Sequence, residues 1–266
     1  KATYSKVTAK ASTAKIKITI GALSDENVAG GEQTNWVNNQ WKETASIQGS
    51  TNSLTTDISS GDGITFKKPV WKSKAANDAE VTSVQDVNKA GESYTQFYIG
   101  LENTGSSSVE VFLNQETKIV ATDSAKTEDK ALAAWTRVAI IDCGETKPTK
   151  DNLGESATMK YVFENAGDTE NTATLGKYVS GSKDGKLELS TLTGENYKTD
   201  GFSTVTEQSQ ATAAAGYLAQ IAQNQTHYYG ISVWMEGTEN DNQDSANGGS
   251  IDIALGFTGL DKIING

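Results

Sequence analysis

The sequence predicts a mainly β protein, a β-sandwich carrying one or two inserted helices, and three observations carry that expectation. Apolar residues recur with period 2. Ala14, Ile16, Ile18 and Ile20 alternate with Lys15, Lys17 and Thr19, the pattern of a strand with one face buried. The connecting stretches are built from Gly, Ser, Thr and Asn, and Gly 25 against Pro 2 suits tight turns. No internal repeat and no Pro- or Gly/Ser-rich linker divides the 266 residues, which favours one sandwich over two domains.

Taken in order, the strand at 14–20 is followed by expected strands at Gly63–Lys68, Ser93–Asn103, Ser108–Asn114, Arg137–Asp142, Ala157–Glu164, Gly185–Leu192, Tyr228–Glu236 and Ser250–Phe257. Asn103–Ser107 (NTGSS) joins two alternating runs as a hairpin connection, and Asp184-Gly185 supplies the positive φ values that a tight hairpin wants. Two segments break the rhythm and read as helices. Thr127–Trp135 (TEDKALAAW) offers a Thr cap with acids in its first turn, and Glu207–Gln223 is rich in Ala.

Composition then removes whole classes of function. Lys+Arg 23 against Asp+Glu 34 gives a net charge of −11, and phosphate binding needs a basic stripe, so no nucleic-acid partner is expected. No run approaches the roughly 20 apolar residues of a membrane helix, so no membrane partner is expected either. A single His (His227), a single Cys (Cys143) and a single Arg (Arg137) leave no His- or Cys-rich metal site and no disulfide within the chain. The chain starts at Lys1 with no apolar leader, which reads as a mature exported chain after signal-peptide removal, secreted and extracellular or on the cell surface.

Catalytic motifs are missing. No G-x-S-x-G elbow and no H-E-x-x-H occur, and His227 sits beside Tyr228 and Tyr229 at a strand entrance, where it packs or hydrogen-bonds. Gly61-Asp62-Gly63 opens no helix and lacks a following Lys-Ser/Thr, so it reads as a turn and not a phosphate loop. The protein is therefore not expected to be an enzyme. The acidic tract Glu236–Gly249 (EGTENDNQDSANGG) concentrates hard oxygen ligands, and Glu239, Asp241, Asn242 and Asp244 are the candidate calcium ligands, set against the blander reading of a solvated loop. Asp25, Glu26 and Glu32 lie in a second acidic stretch that would join them if the loops met. Asn224-Gln225-Thr226 is a lone sequon.

Three stretches together suggest a family. ATYSKVTAKASTAKIKITI near the start, FYIGLENTGSSSVEVFL from Phe97 to Leu113, and the closing YYGISVWMEGTENDNQDSANGGSIDIALGF resemble segments of TasA/camelysin-type exported fibre-forming proteins. The resemblance covers about a third of the chain. It implies a jelly-roll-like antiparallel sandwich and an extracellular filament of identical subunits, a homopolymer, in which the N-terminal strand of one completes the sheet of the next. Archaeal bundling pili and cannula-type tubes are similar in this respect. The chain departs from the pattern where Lys6 and Lys10 dilute the apolar spacing and where insertions lie around Ala121–Ala134 and Gly194–Gln225. Other biofilm-matrix or cell-surface components are further partners on this reading.

Under that expectation residues 1–13 form a donor-strand extension and 14–266 a single sandwich domain. Lys1–Ala11 lacks Gly and Pro and extends to about 35 Å. Its apolar or small residues, Tyr4, Val7, Ala9 and Ala11, would fill a neighbour's groove. Tyr4 and Val7 have opposite parity, so a bend or bulge must intervene if both are buried. The alternatives are a segment that pairs within its own subunit, a monomeric surface adhesin or carbohydrate-binding module using Trp36, Trp41 and Trp71, and a secreted hydrolase.

Overall fold

The computed structural model describes residues 3–12, 15–23, 32–48, 58–73, 80–87, 94–164, 197–198, 216–236 and 246–262. It is mainly β. The strands are β1 (Thr3–Ala11), β2 (Ile16–Ala22), β3 (Gln33–Thr34), β4 (Trp36–Val37), β5 (Gln40–Trp41), β6 (Thr44–Gln48), β7 (Phe66–Ser73), β8 (Glu80–Val87), β9 (Thr95–Asn103), β10 (Val109–Leu113), β11 (Lys118–Ala121), β12 (Thr136–Gly144), β13 (Thr158–Phe163), β14 (Tyr197–Lys198), β15 (Tyr217–Ile221), β16 (Thr226–Met235) and β17 (Ser250–Asp261), with one helix, α1 (Thr127–Trp135), before β12. The expected strand Gly185–Leu192 and its Asp184-Gly185 turn lie outside the described residues.

Two sheets form the sandwich. One runs β15-β10-β17-β1-β6, with β11 also on β17, and the other runs β14-β13-β12-β16-β9-β2-β3. Pairing is antiparallel except for β1 on β17 and β14 on β13, which are parallel. Period 2 sends alternate side chains inward, so Ile16, Ile18 and Ile20 of β2 meet Ile251, Ile253, Leu255 and Phe257 of β17 in one apolar core. β10 and β11 behave as one interrupted strand along the same edge of β17. The first pairs with Phe257–Asp261, the second with Ile251–Ala254. The interruption lies opposite Gly256, where a Cβ would fall 2.1 Å from Asn114 Oδ1.

A second apolar cluster covers the outer face of the β12–β16 region. Phe66 stacks on Tyr94 with centroids 3.7 Å apart and meets the edge of Trp234, against Ala139, Ile141 and Val162. The 60–65 turn closes over this face. Asp62 Oδ1 accepts the backbone N–H groups of Ile64 and Thr65, as Asp does in an Asx turn, and no phosphate-cradling helix follows. Gly63 sits at φ +72°, and a Cβ there would meet Ala139 Cβ at 2.2 Å. Gly63→Ala therefore combines a left-handed backbone with overpacking, and urea unfolding should show a loss of roughly 2–4 kcal/mol.

Three expectations are corrected. Residues 217–221, assigned to the second helix, form β15 against β10, because Leu218 and Ile221 are needed in the core, while 207–215 lie outside the described residues. Helix α1 occupies Thr127–Trp135, but Thr127 is its first residue and not its cap. Lys126 takes the cap position and makes no side-chain cap bond. Asp129 anchors the helix instead, its buried carboxylate accepting the N–H groups of Asp123 and Ser250. The third correction concerns Asn103–Ser107, expected as a hairpin connection: β9 and β10 lie in different sheets, so the segment crosses from one sheet to the other. β1 is an interior strand of its own sheet.

Candidate functional site

The site is the slot that β1 fills. On one side β1 runs parallel to β17, from Thr3 opposite Ser250 to Ala11 opposite Phe257. On the other it runs antiparallel to β6, with Val7 opposite Ile47 and Ala9 opposite Ala45. Thr3 N–H donates to Gly249 O, Ala11 N–H to Glu43 O and Ser12 N–H to Phe257 O, so backbone bonds tie down both ends. Both edges of β1 are thereby satisfied, and whatever vacates the slot uncovers two unpaired edges at once.

All four residues expected to fill a groove are brought together on the inner face. Tyr4 is 2% exposed, Val7 and Ala9 0%, and Ala11 1%. The register shifts between Tyr4 and Lys6, the bulge that the opposite parity of Tyr4 and Val7 demands. The Tyr4 hydroxyl accepts from Thr95 Oγ1 at 3.5 Å across the core. Lys10 points outward between Glu43 and Glu116, 3.6 Å from each, exposed pairs that fix little energy. The groove is thus filled by the chain's own segment, in cis. A strand with four inward small or apolar residues would make the same ladders in the equivalent slot of a second copy.

One wall of the slot escaped the sequence reading. β6 (Thr44–Gln48) carries only Ala45 and Ile47 on its buried face, too short a run to stand out beside the polar 33–43 stretch. Its other wall, β17, was expected in full over Ser250–Phe257.

The calcium candidates Glu239, Asp241, Asn242 and Asp244 lie outside the described residues, as do Asp25 and Glu26. The flanking acids face other partners. Glu236 is buried and accepts the Trp234 indole N–H, and Glu32 accepts from Lys147 Nζ at 2.5 Å and from the Tyr98 hydroxyl. Among the described residues no group of three or more His, Cys, Asp or Glu side chains is placed to hold a metal ion.

His227 contacts Asp142 Oδ1 at 2.7 Å, both on the inward face at one end of β16 and β12. The imidazole also lies 5.0 Å from the Tyr229 ring. This pairing was invisible in a sequence where 85 residues separate the partners. Burial works to raise the Asp142 carboxyl, but donation from His227 and from the Gly144 N–H outweighs it and holds the group below the usual carboxylate range. Cys143 points to the other face and packs in the outer cluster, where burial pushes its thiol up to about 11 and disfavours the thiolate.

These groups set a pH window. Glu32 is lowered by the hydrogen bonds from Lys147 and Tyr98, while burial and then Glu32 push Tyr98 up to about 12. Carboxyls with folded pKa values below the unfolded ones contribute stability that is present above about pH 4 and lost as pH falls through the folded values. A phenol with a raised folded value contributes stability that is full below about pH 10 and lost on the way to about 12. The thermal midpoint should therefore be level between about pH 6 and 9 and fall on both sides, and Glu32→Gln should reduce the alkaline dependence.

The chain matches no protein-family model, no curated protein and no solved structure in the comparisons made with each. No helix among the described residues is long and apolar enough to cross a membrane.

Proposed function

We propose that this protein is a structural subunit of an extracellular filament, polymerising head to tail by passing β1 from its own slot into the equivalent slot of the next copy. The observation that supports this most is the construction of the slot. Its walls, β17 and β6, come from distant parts of the chain, and β1 crosses to the opposite sheet at β2 through residues 12–15 alone. Four residues span at most about 14 Å when extended, so the hinge is short, and short hinges favour exchange between identical chains.

The contact is heterologous. A strand given by one copy and received by the next leaves a donor free at one end of the chain of subunits and a slot free at the other, so growth does not close. The new ladders equal those broken, and filament stability comes from the surfaces that exchange brings together and from the high local concentration of a tethered neighbour. Secretion, a matrix or cell-surface setting and the absence of catalysis belong to the same reading. Electron microscopy of the purified protein tests it. The expected result is unbranched filaments that grow with protein concentration. Discrete monomers under all conditions, or turnover of a substrate panel, would contradict it.

A further inference from the structure

We infer that the β4–β5 hairpin is a binding site for a neutral, hydroxyl-rich sugar, with Trp36 and Trp41 as its platform. The hairpin projects from the edge strand β3, and its two-residue turn, Asn38-Asn39, has φ values of 52° and 59°, the left-handed pair of a type I′ turn. Trp36 and Trp41 are cross-strand partners whose rings meet edge to face, centroids 5.1 Å apart and planes at 77°. Both stay 37% exposed, whereas Trp135 and Trp234 are buried at 1% and 0%.

A pair serving only to hold two strands of two residues together has no use for a fixed position on the sandwich, yet this one is clamped. Asn35 is buried, takes the Ile18 N–H on its Oδ1, donates to Ile16 O from its amide, and donates its own N–H to Ile18 O. Lys42 N–H closes the base of the hairpin onto Asn35 O. The base of the hairpin is therefore anchored on the sandwich before any ligand arrives, which lowers the ordering cost of binding.

The chemistry around the rings selects the ligand class. Two indoles at 77° form a corner in which the C–H face of a pyranose covers one ring while its edge meets the other. Exposed carboxamides at Asn38 and Asn39, in the turn beside the pair, offer paired donors and acceptors that match adjacent hydroxyls. From Gln33 to Lys42 there is no carboxylate, in a chain with 34 of them, and one cation. The flanking acids face elsewhere, Glu32 toward Lys147 and Tyr98 and Glu43 toward Lys10. The hairpin itself supplies no counter-charge for a cationic ligand, and an anionic glycan is repelled by the overall charge of −11. A repeating array of such corners along a filament would hold a neutral polysaccharide through many weak contacts.

Titration calorimetry of the full chain against neutral oligosaccharides of glucose, galactose, mannose and N-acetylglucosamine, with a uronic-acid oligomer as the charged comparison, tests this. At least one neutral series should bind, Trp36→Ala and Trp41→Ala should each weaken it at least tenfold, and Gln40→Ala, on the opposite face of the hairpin from the rings, should leave it unchanged. Trp41→Phe keeps a ring at the cross-strand position and should retain part of the affinity. Three results would overturn the inference: no neutral sugar binding, binding indifferent to both Trp variants, or preference for the uronic-acid oligomer. Loss of self-association in the Trp variants without any sugar binding would also overturn it, and would make the occupant a second copy of the chain.

Discussion

Removing residues 1–11 is expected to leave a chain that does not fold by itself, and a synthetic peptide of the same residues is expected to restore folding in trans. The size of the effect follows from the slot. Tyr4→Ala alone, at a fully buried ring, costs about 3–5 kcal/mol. The deletion also removes Val7, Ala9 and Ala11 from the core and leaves the facing edges of β17 and β6 unpaired, a loss comparable with the roughly 5–15 kcal/mol that stabilises a typical domain. Read independently of the structure, a donor extension predicts that the truncated remainder folds by itself. The interior position of β1 reverses that expectation. Circular dichroism of the truncated chain with and without peptide decides between them, and peptide rescue shows in addition that the slot accepts a strand from another molecule.

Arg137→Ala is expected to cost about 3–5 kcal/mol, seen as a fall of roughly 10 °C in thermal midpoint. Arg137 and Glu164 have side chains only 1% and 3% exposed, and their N···O separation is 2.8 Å. The guanidinium also donates to the carbonyls of Ala134 and Thr136, so it ties the end of α1 to β12 and to the residue that follows β13. Truncating it leaves the Glu164 carboxylate buried without its counter-charge. Replacing both members, Arg137→Met with Glu164→Leu, should recover much of the loss, because an apolar pair of similar volume carries no desolvation penalty. An equal loss in the double variant would mean that packing of the long side chain, and not the stranded charge, sets the cost.

What the sequence made legible follows the same physics. The strands at 95–103, 136–144, 226–235 and 250–261 were readable because each carries apolar residues at period 2 on a buried face, and the bulge between Tyr4 and Lys6 was readable from the opposite parity of Tyr4 and Val7. Helix α1 was readable because the apolar run within KALAAW does not alternate, although its cap was not, since Asp129 anchors it through bonds to Asp123 and Ser250 that local patterning does not reveal. Residues 217–221 were misread because Ala-rich flanking sequence suggests a helix while tertiary pairing with β10 requires a strand. Short strands such as β6 and the hairpin β4–β5 carry too few residues to show a period.

The candidate site divides in the same way. Its filler was named from sequence, Tyr4, Val7, Ala9 and Ala11, because chemistry and parity sit in one short segment. Pairing within its own subunit stood beside exchange as an alternative, because cis and trans filling use identical ladders and differ only in connectivity. The Asp142–His227 and Arg137–Glu164 contacts join residues on different strand segments, and nothing in either neighbourhood signals the other partner.

The proposal that β1 changes hands is tested most directly by a cysteine pair across the slot. Ala9 and Ala45 face each other on β1 and β6, both are small and buried, and the native Cys143 thiol is buried and protonated at neutral pH, so Ala9→Cys with Ala45→Cys adds one defined crosslink. Oxidised as dilute monomer, the double variant should close within one chain and be unable to assemble until reduced. Oxidised after assembly, it should run on a denaturing gel as a ladder of covalent multimers, since the thiol introduced on β1 of each copy then faces the thiol introduced on β6 of the next. Assembled filaments that yield only internally crosslinked monomer would contradict the account, because β1 would then never have left its own sheet.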